Sequence, residues 1–157
     1  MNSSAEKILY RKAALIFEEL GFLMPRSDNG EAFHGDSTNA MVSFKGPFSG
    51  CLLVSLSSEM LSLLSSNMLG EERRADTFME HDSLGEIANV ICGNALPAIY
   101  GFEPVFHLDA PQLLDDAAAL LNDPGYKREA EVNISFDTGH AAVTLLIENN
   151  ETEKPSS

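Results

Sequence analysis

The sequence is short of basic residues, and this shortage excludes two classes of partner. Only 10 Lys and Arg residues stand against 24 Asp and Glu residues, which gives a formal net charge of −14 at pH 7. Binding to nucleic-acid phosphates depends on clustered basic side chains, and anionic membrane surfaces attract the same side chains. We therefore expect neither a nucleic acid nor a membrane among the partners of this protein.

Cysteine is also scarce, and long apolar runs are missing. No stretch is apolar enough for a transmembrane helix, and the first residues mix charges with apolar positions in a helical pattern, unlike a signal peptide. Cys51 and Cys92 lie in a predicted strand and a predicted helix, and we interpret both as reduced, small hydrophobic residues. A nucleophilic Cys92 would need a base that the local sequence does not supply. These features predict a cytoplasmic protein.

Metal-binding patterns are missing as well. The four histidines, His34, His81, His107 and His140, are scattered, and no two have the spacing of metal ligands on a helix or a hairpin. This argues against a free-standing metal hydrolase. We expect the protein to have no metal site and no cofactor of its own.

What the sequence does have is the composition of an ordinary globular domain. The sequence is 44% hydrophobic and 22% charged, which suits a globular domain with a core. Its length of 157 residues is enough for one such domain and too short for two. The last nine residues, NNETEKPSS, are polar, and we expect residues 149–157 to be a disordered tail. The interpretation is a single domain over residues 1–148.

Turn residues and apolar periodicity predict two helices in the first half of the chain. Ser3 and Glu6 form a capping box for a helix that runs to about Leu20 and stops at Gly21. A second helix is expected over about 58–69, where apolar residues recur at helical steps.

The strands are predicted from alternation and from the turns between them. Residues 25–39 are expected to be a loop or a weak edge strand, and residues 111–125 a loop with room for a helical turn at 115–121. Hairpin-joined strands pair antiparallel, and helices with a single apolar stripe lie as a layer on such a sheet. We therefore predict an α+β fold, an antiparallel sheet with helices layered on one face. The predicted strands cover 40–44, 51–56, 105–108, 128–136 and 141–148.

A third, longer helix is predicted over residues 78–100. Thr77 and Glu80 form a capping box at its start, and Gly101 stands just past its end. Pro97 is expected to kink this helix or to stop it early. Apolar residues recur at three- and four-residue steps and predict a buried stripe on one face: Leu84, Ile87, Ala88, Ile91, Ala95 and Ala98.

The opposite face of this helix carries four residues that we call the ridge: Asp82, Glu86, Asn89 and Gly93. Glu86 and Asn89 are three residues apart, so a carboxylate and an amide stand side by side with a bare glycine next to them. On an amphipathic helix, such a pair is most often solvated polar surface. The pair alone therefore does not indicate a function.

The ridge belongs to a longer pattern: Asp82, three residues, Glu86, two residues, Asn89, twenty-one residues, Pro111. Together with EIANVICGNALPAIYG at 86–101, this pattern resembles the CheC/CheX/FliY family of bacterial chemotaxis phosphatases. These proteins remove phosphate from the aspartyl phosphate of the response regulator CheY. The chain has one copy of the pattern, which makes it most similar to the CheX branch of the family. This resemblance implies a homodimer joined through its sheets. The predicted α+β fold agrees with the family fold.

The resemblance implies a hydrolase with Glu86 and Asn89 as catalytic residues. An aspartyl phosphate is already activated, so its hydrolysis depends mainly on the position of the attacking water. A side-chain amide can both donate a hydrogen bond to this water and accept one from it, and so hold it in line with phosphorus. Asn89 would hold this water in the active site of a phosphorylated CheY-like receiver domain, and Glu86 would pair with the lysine of that receiver. Asp82, Gly93 and Pro111 are expected to support the site, Pro111 by shaping a loop beside the helix. Mg2+ is expected on the partner receiver domain.

The alternative function is a non-catalytic adaptor that binds a receiver domain or a flagellar-motor component through the same ridge. The sequence does not separate the two functions, although the presence of both Glu86 and Asn89 favours catalysis. The terminal hairpin, residues 128–148, would expose a strand edge unless that edge is paired. We therefore predict a homodimer in which sheet edges, and not the face that carries Glu86, form most of the contact.

Overall fold

Four α-helices and six strands make up the part of the chain that the computed structural model describes, residues 2–26, 35–70 and 76–149. A 3-10 turn, Ser58–Met60, leads into the second helix. His34, residues 71–75 and residues 150–157 of the expected tail lie outside the described residues. In chain order the elements are α1 Ser3–Glu19, β1 Ser37–Lys45, β2 Gly50–Ser57, α2 Leu61–Leu69, α3 Thr77–Tyr100, β3 His107–Leu108, β4 Gln112–Leu114, α4 Ala117–Leu121, β5 Tyr126–Ser135 and β6 His140–Glu148.

The strands form one antiparallel sheet in the order β3-β1-β2-β6-β5, with β4 also paired to β1. Phe44 pairs with Leu108 of β3, and Ala40 pairs with Leu113 of β4. Because β2 occupies one edge of β1 along its length, β3 and β4 follow one another along the other edge. β2 is buried at every position, as expected of a central strand. The two predicted hairpins, β1–β2 and β5–β6, are confirmed.

Helices α1 and α3 pack against each other and against the sheet. Helix α1 contacts β5, and helix α3 contacts β1 and β2. Alternate residues of β2, Leu52, Val54 and Leu56, face these helices in the core, as do alternate residues of β5 and β6. Burial of this apolar surface is the main favourable term in folding. The predicted α+β fold is confirmed, and in the described residues no helix is long and apolar enough to cross a bilayer.

The predicted helix caps are wrong by one residue at both long helices. Asn2, and not Ser3, caps α1, since its side-chain oxygen accepts hydrogen bonds from the backbone N–H groups of Ser4 and Ala5. Asp76, and not Thr77, caps α3 by accepting from the N–H of Met79. The side-chain oxygens of Asn2 and Asp76 accept from N–H groups of the first turn, so each helix begins one residue earlier than the capping boxes predict.

The predicted end of α3 at Tyr100, just before Gly101, is confirmed. The early stop expected at Pro97 is wrong, because the helix continues past it and the N–H of Gly101 donates to the carbonyl of Pro97. Near the end of α1 the positive φ belongs to Phe22, at 52°, and not to Gly21. Gly21 is needed for space instead, because a Cβ there would lie 2.7 Å from the carbonyl oxygen of Phe17.

Two strand segments were not predicted from the sequence. β1 begins at Ser37, inside the stretch expected to be a loop or a weak edge strand, and β4 lies inside the loop expected over 111–125. A three-residue strand is too short to show alternation, and the pairing of Gln112 with Met41 across the sheet fixes it. The helical turn in the same loop is confirmed as α4.

Candidate functional site

The core side of α3 holds the ridge in place. Five of the six residues predicted to form the buried stripe are fully buried, and Ala98 is half-buried. Ser83, Gly85, Cys92 and Leu96 are buried as well. All four ridge residues, Asp82, Glu86, Asn89 and Gly93, are exposed, as the periodicity predicts. The ridge therefore stands on a helix whose other side is fixed in the core.

A concavity of about 490 Å3, which we call the ridge cleft, lies between α3 and the chain that enters β4. The strand side of the cleft is formed by Pro111 and Leu113. The helix side is formed by Phe78, His81, Asp82, Gly85, Glu86 and Asn89. The ridge cleft thus brings together four of the five predicted site residues, Asp82, Glu86, Asn89 and Pro111, and leaves out Gly93.

Gly85 lies close to Pro111 across the ridge cleft. A Cβ on Gly85 would lie 3.2 Å from Cβ and 3.4 Å from Cγ of Pro111, tighter than ordinary van der Waals contact. The prediction that Pro111 shapes a loop beside the helix agrees with this position. The sequence interpretation missed Gly85, although a glycine inside a helix costs about 1 kcal/mol relative to alanine and indicates a packing reason.

Gly93 is open where Gly85 is packed. The nearest atom to a Cβ built on Gly93 is Cδ2 of Leu108, at 4.0 Å. A second concavity of about 270 Å3, which we call the apolar cleft, begins at this glycine and follows the end of α3. The residues that line it include Gly93, Pro97, Phe102, Pro104, Val105 and Leu108.

The polar groups of the ridge are free to meet a partner. Within residues 2–26, 35–70 and 76–149, no hydrogen bond or ion pair engages the side chain of Glu86 or Asn89. No group of three or more His, Cys, Asp or Glu in the same residues could hold a metal ion. The chemistry that the ridge itself can supply is therefore that of one carboxylate and one amide on a fixed helix.

Cys92 lies on the core side of α3, three residues after Asn89, and is fully buried. Burial, with a smaller contribution from Cys51, raises the pKa of the Cys92 thiol to about 12. The nucleophilic form of cysteine is the thiolate, and a pKa this high keeps the thiol protonated at neutral pH. This agrees with the interpretation of Cys92 as a small hydrophobic residue.

Comparison with known families gives one match. The sequence model of the family described as "Chemotaxis phosphatase CheX" matches residues 38–137, which is more than half of the chain. The matched residues include the whole ridge and Pro111. No curated protein matches the sequence.

Several solved structures share the fold. A chain of the CheX–CheY complex with BeF3 and Mg2+ from Borrelia burgdorferi is 16% identical with a TM-score of 0.65, covering 91% of this chain and 97% of that one. CheX from Vibrio vulnificus is 17% identical with a TM-score of 0.71, at 92% and 96% coverage. FliY from Thermotoga maritima is 12% identical with a TM-score of 0.58, at 97% and 91% coverage. At these identities the likeness is one of fold.

Proposed function

The chain belongs to the CheX family of chemotaxis phosphatases, and from that premise we propose that it removes phosphate from the aspartyl phosphate of a CheY-like receiver domain. The resemblance that the sequence carries at residues 82–111 is confirmed by this membership. The observation that supports the activity most directly is the ridge: Glu86 and Asn89 are exposed, have no partner among the described residues, and stand on a helix anchored in the core.

Asn89 is the residue that we assign to the attacking water. Phosphoryl transfer from an acyl phosphate has a loose transition state, so its catalysis depends on holding the water in line with phosphorus. The amide oxygen of Asn89 accepts a hydrogen bond from the water and the amide nitrogen donates one, which orients the lone pair that attacks. Because the side chain projects from an exposed helix face, it can enter an active site that belongs to another protein.

Glu86 is assigned to docking. It stands one helical turn before Asn89, about 4.5 Å along the helix axis. A carboxylate there can pair with the active-site lysine of a receiver and so fix the position of the neighbouring amide. Asp82 and Pro111 border the same cleft and support this arrangement, while Gly93 leaves the surface beside Asn89 open.

The metal ion in this reaction belongs to the receiver. The CheX–CheY complex from Borrelia burgdorferi was solved with BeF3 and Mg2+, which supports an Mg2+ ion on the receiver of the present protein as well. In our proposal the ion neutralises charge on the phosphoryl oxygens, and this chain supplies only Asn89 and Glu86. The reaction takes place in the cytoplasm, where two-component receivers act.

The experiment that tests the activity uses a receiver labelled on its aspartate. A CheY-type receiver from the same organism is phosphorylated with labelled acetyl phosphate and freed of the donor, and loss of label is followed with and without this protein. We expect faster loss with the unmodified chain and no acceleration with Asn89→Ala. Equal rates with and without the protein, for every receiver of that organism, would contradict the proposal.

The alternative is a non-catalytic adaptor, which the same fold and the same exposed ridge would also serve, since a fold does not by itself determine a function. It makes a different prediction for the same experiment. An adaptor binds the phosphorylated receiver and leaves its label in place, and removal of the Asn89 amide then changes nothing in the rate of label loss.

We also propose a homodimer that leaves the ridge free. The sheet ends in β5 on one side and in β3 and β4 on the other. Three outward backbone groups of β5, on Glu129, Glu131 and Ser135, already have partners within the chain. The edge formed by β3 and β4 is therefore the one that we expect to pair with another chain. Light scattering at high concentration is expected to give twice the monomer mass. A monomer, or a dimer interface that covers Asn89, would show this proposal to be wrong.

A further inference from the structure

The apolar cleft continues the ridge toward the carboxyl end of α3. The ridge ends at Gly93, and the same glycine forms the near end of the apolar cleft. No described residue that lines this cleft has a polar side chain. The polar ridge and the apolar cleft therefore form one continuous strip along the helix.

The segment 101–106, which forms the outer side of the apolar cleft, is held in place by aromatic side chains at its two ends. Gly101, with a φ of 87°, turns the chain out of α3, and Phe106 returns to the interior. The ring of Phe106 packs edge to face against Phe44 at 5.5 Å and against Phe48 at 5.1 Å. Tyr100 packs against Phe48 at 4.9 Å. Both ends of the segment 101–106 are thus held by aromatic packing.

Between these two fixed ends, apolar side chains point outward. Phe102 is 90% exposed and Val105 is 65% exposed. Single exposed apolar residues are common on protein surfaces, but here they border a concavity whose other side is also apolar. An aromatic side chain held at both ends of its segment, next to an apolar pocket, is the kind of residue that carries binding energy in protein interfaces.

The size of an ordinary protein–protein interface indicates whether a receiver bound at Asn89 also reaches this cleft. A standard interface buries about 800 Å2 on each partner, which corresponds to a patch with a radius of about 16 Å. Pro97 is eight residues from Asn89, which is about 12 Å along the helix. An interface of standard size that is centred on Asn89 therefore reaches the apolar cleft.

We propose that the apolar cleft is the second half of the receiver-binding surface and selects among receivers. This inference rests on the proposed function. The receiver that fits has an apolar side chain about 12 Å from its phosphorylated aspartate, at the distance of Pro97 from Asn89. Glu103 and Asp109 are exposed beside the cleft, so basic residues are expected around that side chain on the receiver.

The test separates docking from hydrolysis. The probe is a CheY-type receiver from the same organism, held active with beryllofluoride and Mg2+ for binding, and phosphorylated for single-turnover hydrolysis at saturation. Phe102→Ala is expected to raise the Kd for the probe about 5- to 30-fold, as for the truncation of an aromatic residue that becomes buried in an interface. The single-turnover rate at saturation stays unchanged, because Phe102 does not touch the reacting atoms. Phe102→Leu keeps an apolar side chain and is expected to restore most of the affinity.

Three further variants serve as controls. Leu63→Ala truncates an exposed leucine of α2 outside both clefts, at 41% exposure, and is expected to leave the Kd unchanged. Glu86→Ala shows how a loss of docking through the ridge looks in the same titration. Asn89→Ala is expected to bind the probe normally and to lose hydrolysis. Thermal unfolding of Phe102→Ala should match that of the unmodified chain, since its side chain is exposed.

The outcomes distinguish this inference from the function on which it rests. If Phe102→Ala keeps its Kd within twofold while Asn89→Ala loses hydrolysis, the inference is wrong and the proposed function stands. If Asn89→Ala hydrolyses like the unmodified chain, the proposed function fails and the inference fails with it. If Phe102→Ala instead converts a dimer into a monomer at an unchanged Kd, the cleft belongs to a second copy of the chain, which also overturns the inference.

Discussion

The core side and the ridge side of α3 run along the same 24 residues but differ in what their side chains contact. On the core side, Leu84, Ile87 and Ile91 are fully buried against the sheet and α1. On the ridge side, Glu86 and Asn89 have no partner among the described residues. The difference shows how one helix can be rigid and still present free polar groups: its apolar side fixes the position, so the ridge needs no contacts of its own.

This comparison predicts that the two sides respond to substitution in separate ways. Changes on the core side lower the free energy of unfolding and leave the chemistry of the folded fraction intact. Changes to the polar side chains of the ridge, Glu86 and Asn89, alter docking or turnover and leave the unfolding transition in place. Each prediction below tests this separation, in order from the largest effect to the smallest.

The largest effect is expected for Ile87→Ala. This side chain is fully buried next to Glu86 in sequence, so its truncation removes apolar contacts and leaves a cavity. The free energy of unfolding should fall by about 2–5 kcal/mol, measured by urea denaturation. The folded fraction should hydrolyse labelled receiver at the unmodified rate. A loss of turnover in fully folded protein would show that the two sides are not separate.

Asn89→Ala is expected to lower single-turnover hydrolysis by about a hundred- to a thousandfold, as for the loss of a preorganised polar group in the transition state. Binding of the active receiver and the urea midpoint should not change, because the side chain is exposed and unpartnered. The matched control is Asn94→Ala, an exposed amide of the same helix that donates to the carbonyl of Val90. If Asn89→Ala turns over like the control, the adaptor function replaces the enzyme.

Glu86→Ala is expected to weaken docking rather than turnover. The loss of a charge pair that becomes buried in the complex costs at least about 2 kcal/mol, or roughly a 30-fold rise in Kd for the active receiver. The matched control is Glu59→Ala, which removes an exposed carboxylate outside both clefts and changes the net charge equally. A Kd ratio near one between the two variants would remove Glu86 from the docking surface.

The smallest effect compares the two glycines on either side of Asn89. Gly93→Ala fills open space in a helix and is expected to raise the free energy of unfolding by about 0.5–1 kcal/mol. Gly85→Ala gains the same helix propensity but pushes Pro111 away, so it should be less stable than Gly93→Ala by about 1 kcal/mol. Denaturation of both variants with and without Pro111→Gly measures the contact. Equal stabilities of the two alanine variants would mean that Pro111 does not press on the helix.

The buried stripe of α3 and both hairpins could be predicted from the sequence because each is a local pattern. Leu84, Ile87 and Ile91 repeat at helical steps whatever the rest of the chain does. The contact between Gly85 and Pro111 could not be predicted in the same way, since it joins residues that are distant in the chain and depends on how β4 attaches to β1. Its one local signal was a glycine inside a helix, away from either end.

The site was predictable in part for the same reason. The exposed positions of Asp82, Glu86, Asn89 and Gly93 follow from helical periodicity alone, whereas the residue roles came from a resemblance to a family. The apolar cleft could not be predicted, because Phe102 lies in an irregular segment and the strand predicted from Val105 begins only at His107. Phe106 packs against Phe44 and Phe48, while Phe102 and Val105 are exposed.

The attachment of β4 to β1 has a consequence for how relatives of this protein can diverge. The strand side of the ridge cleft is held by three residue pairs between β4 and β1 at the edge of the sheet. The helix that forms the other side is packed in the core. Substitutions at the exposed positions of residues 101–114, such as Phe102 and Val105, are therefore expected to cost less stability than substitutions on the core side of α3. Over evolutionary time, the core side of the helix is expected to change slowly. The edge segment is then the part of the fold in which new receiver preferences can arise without loss of the folded state.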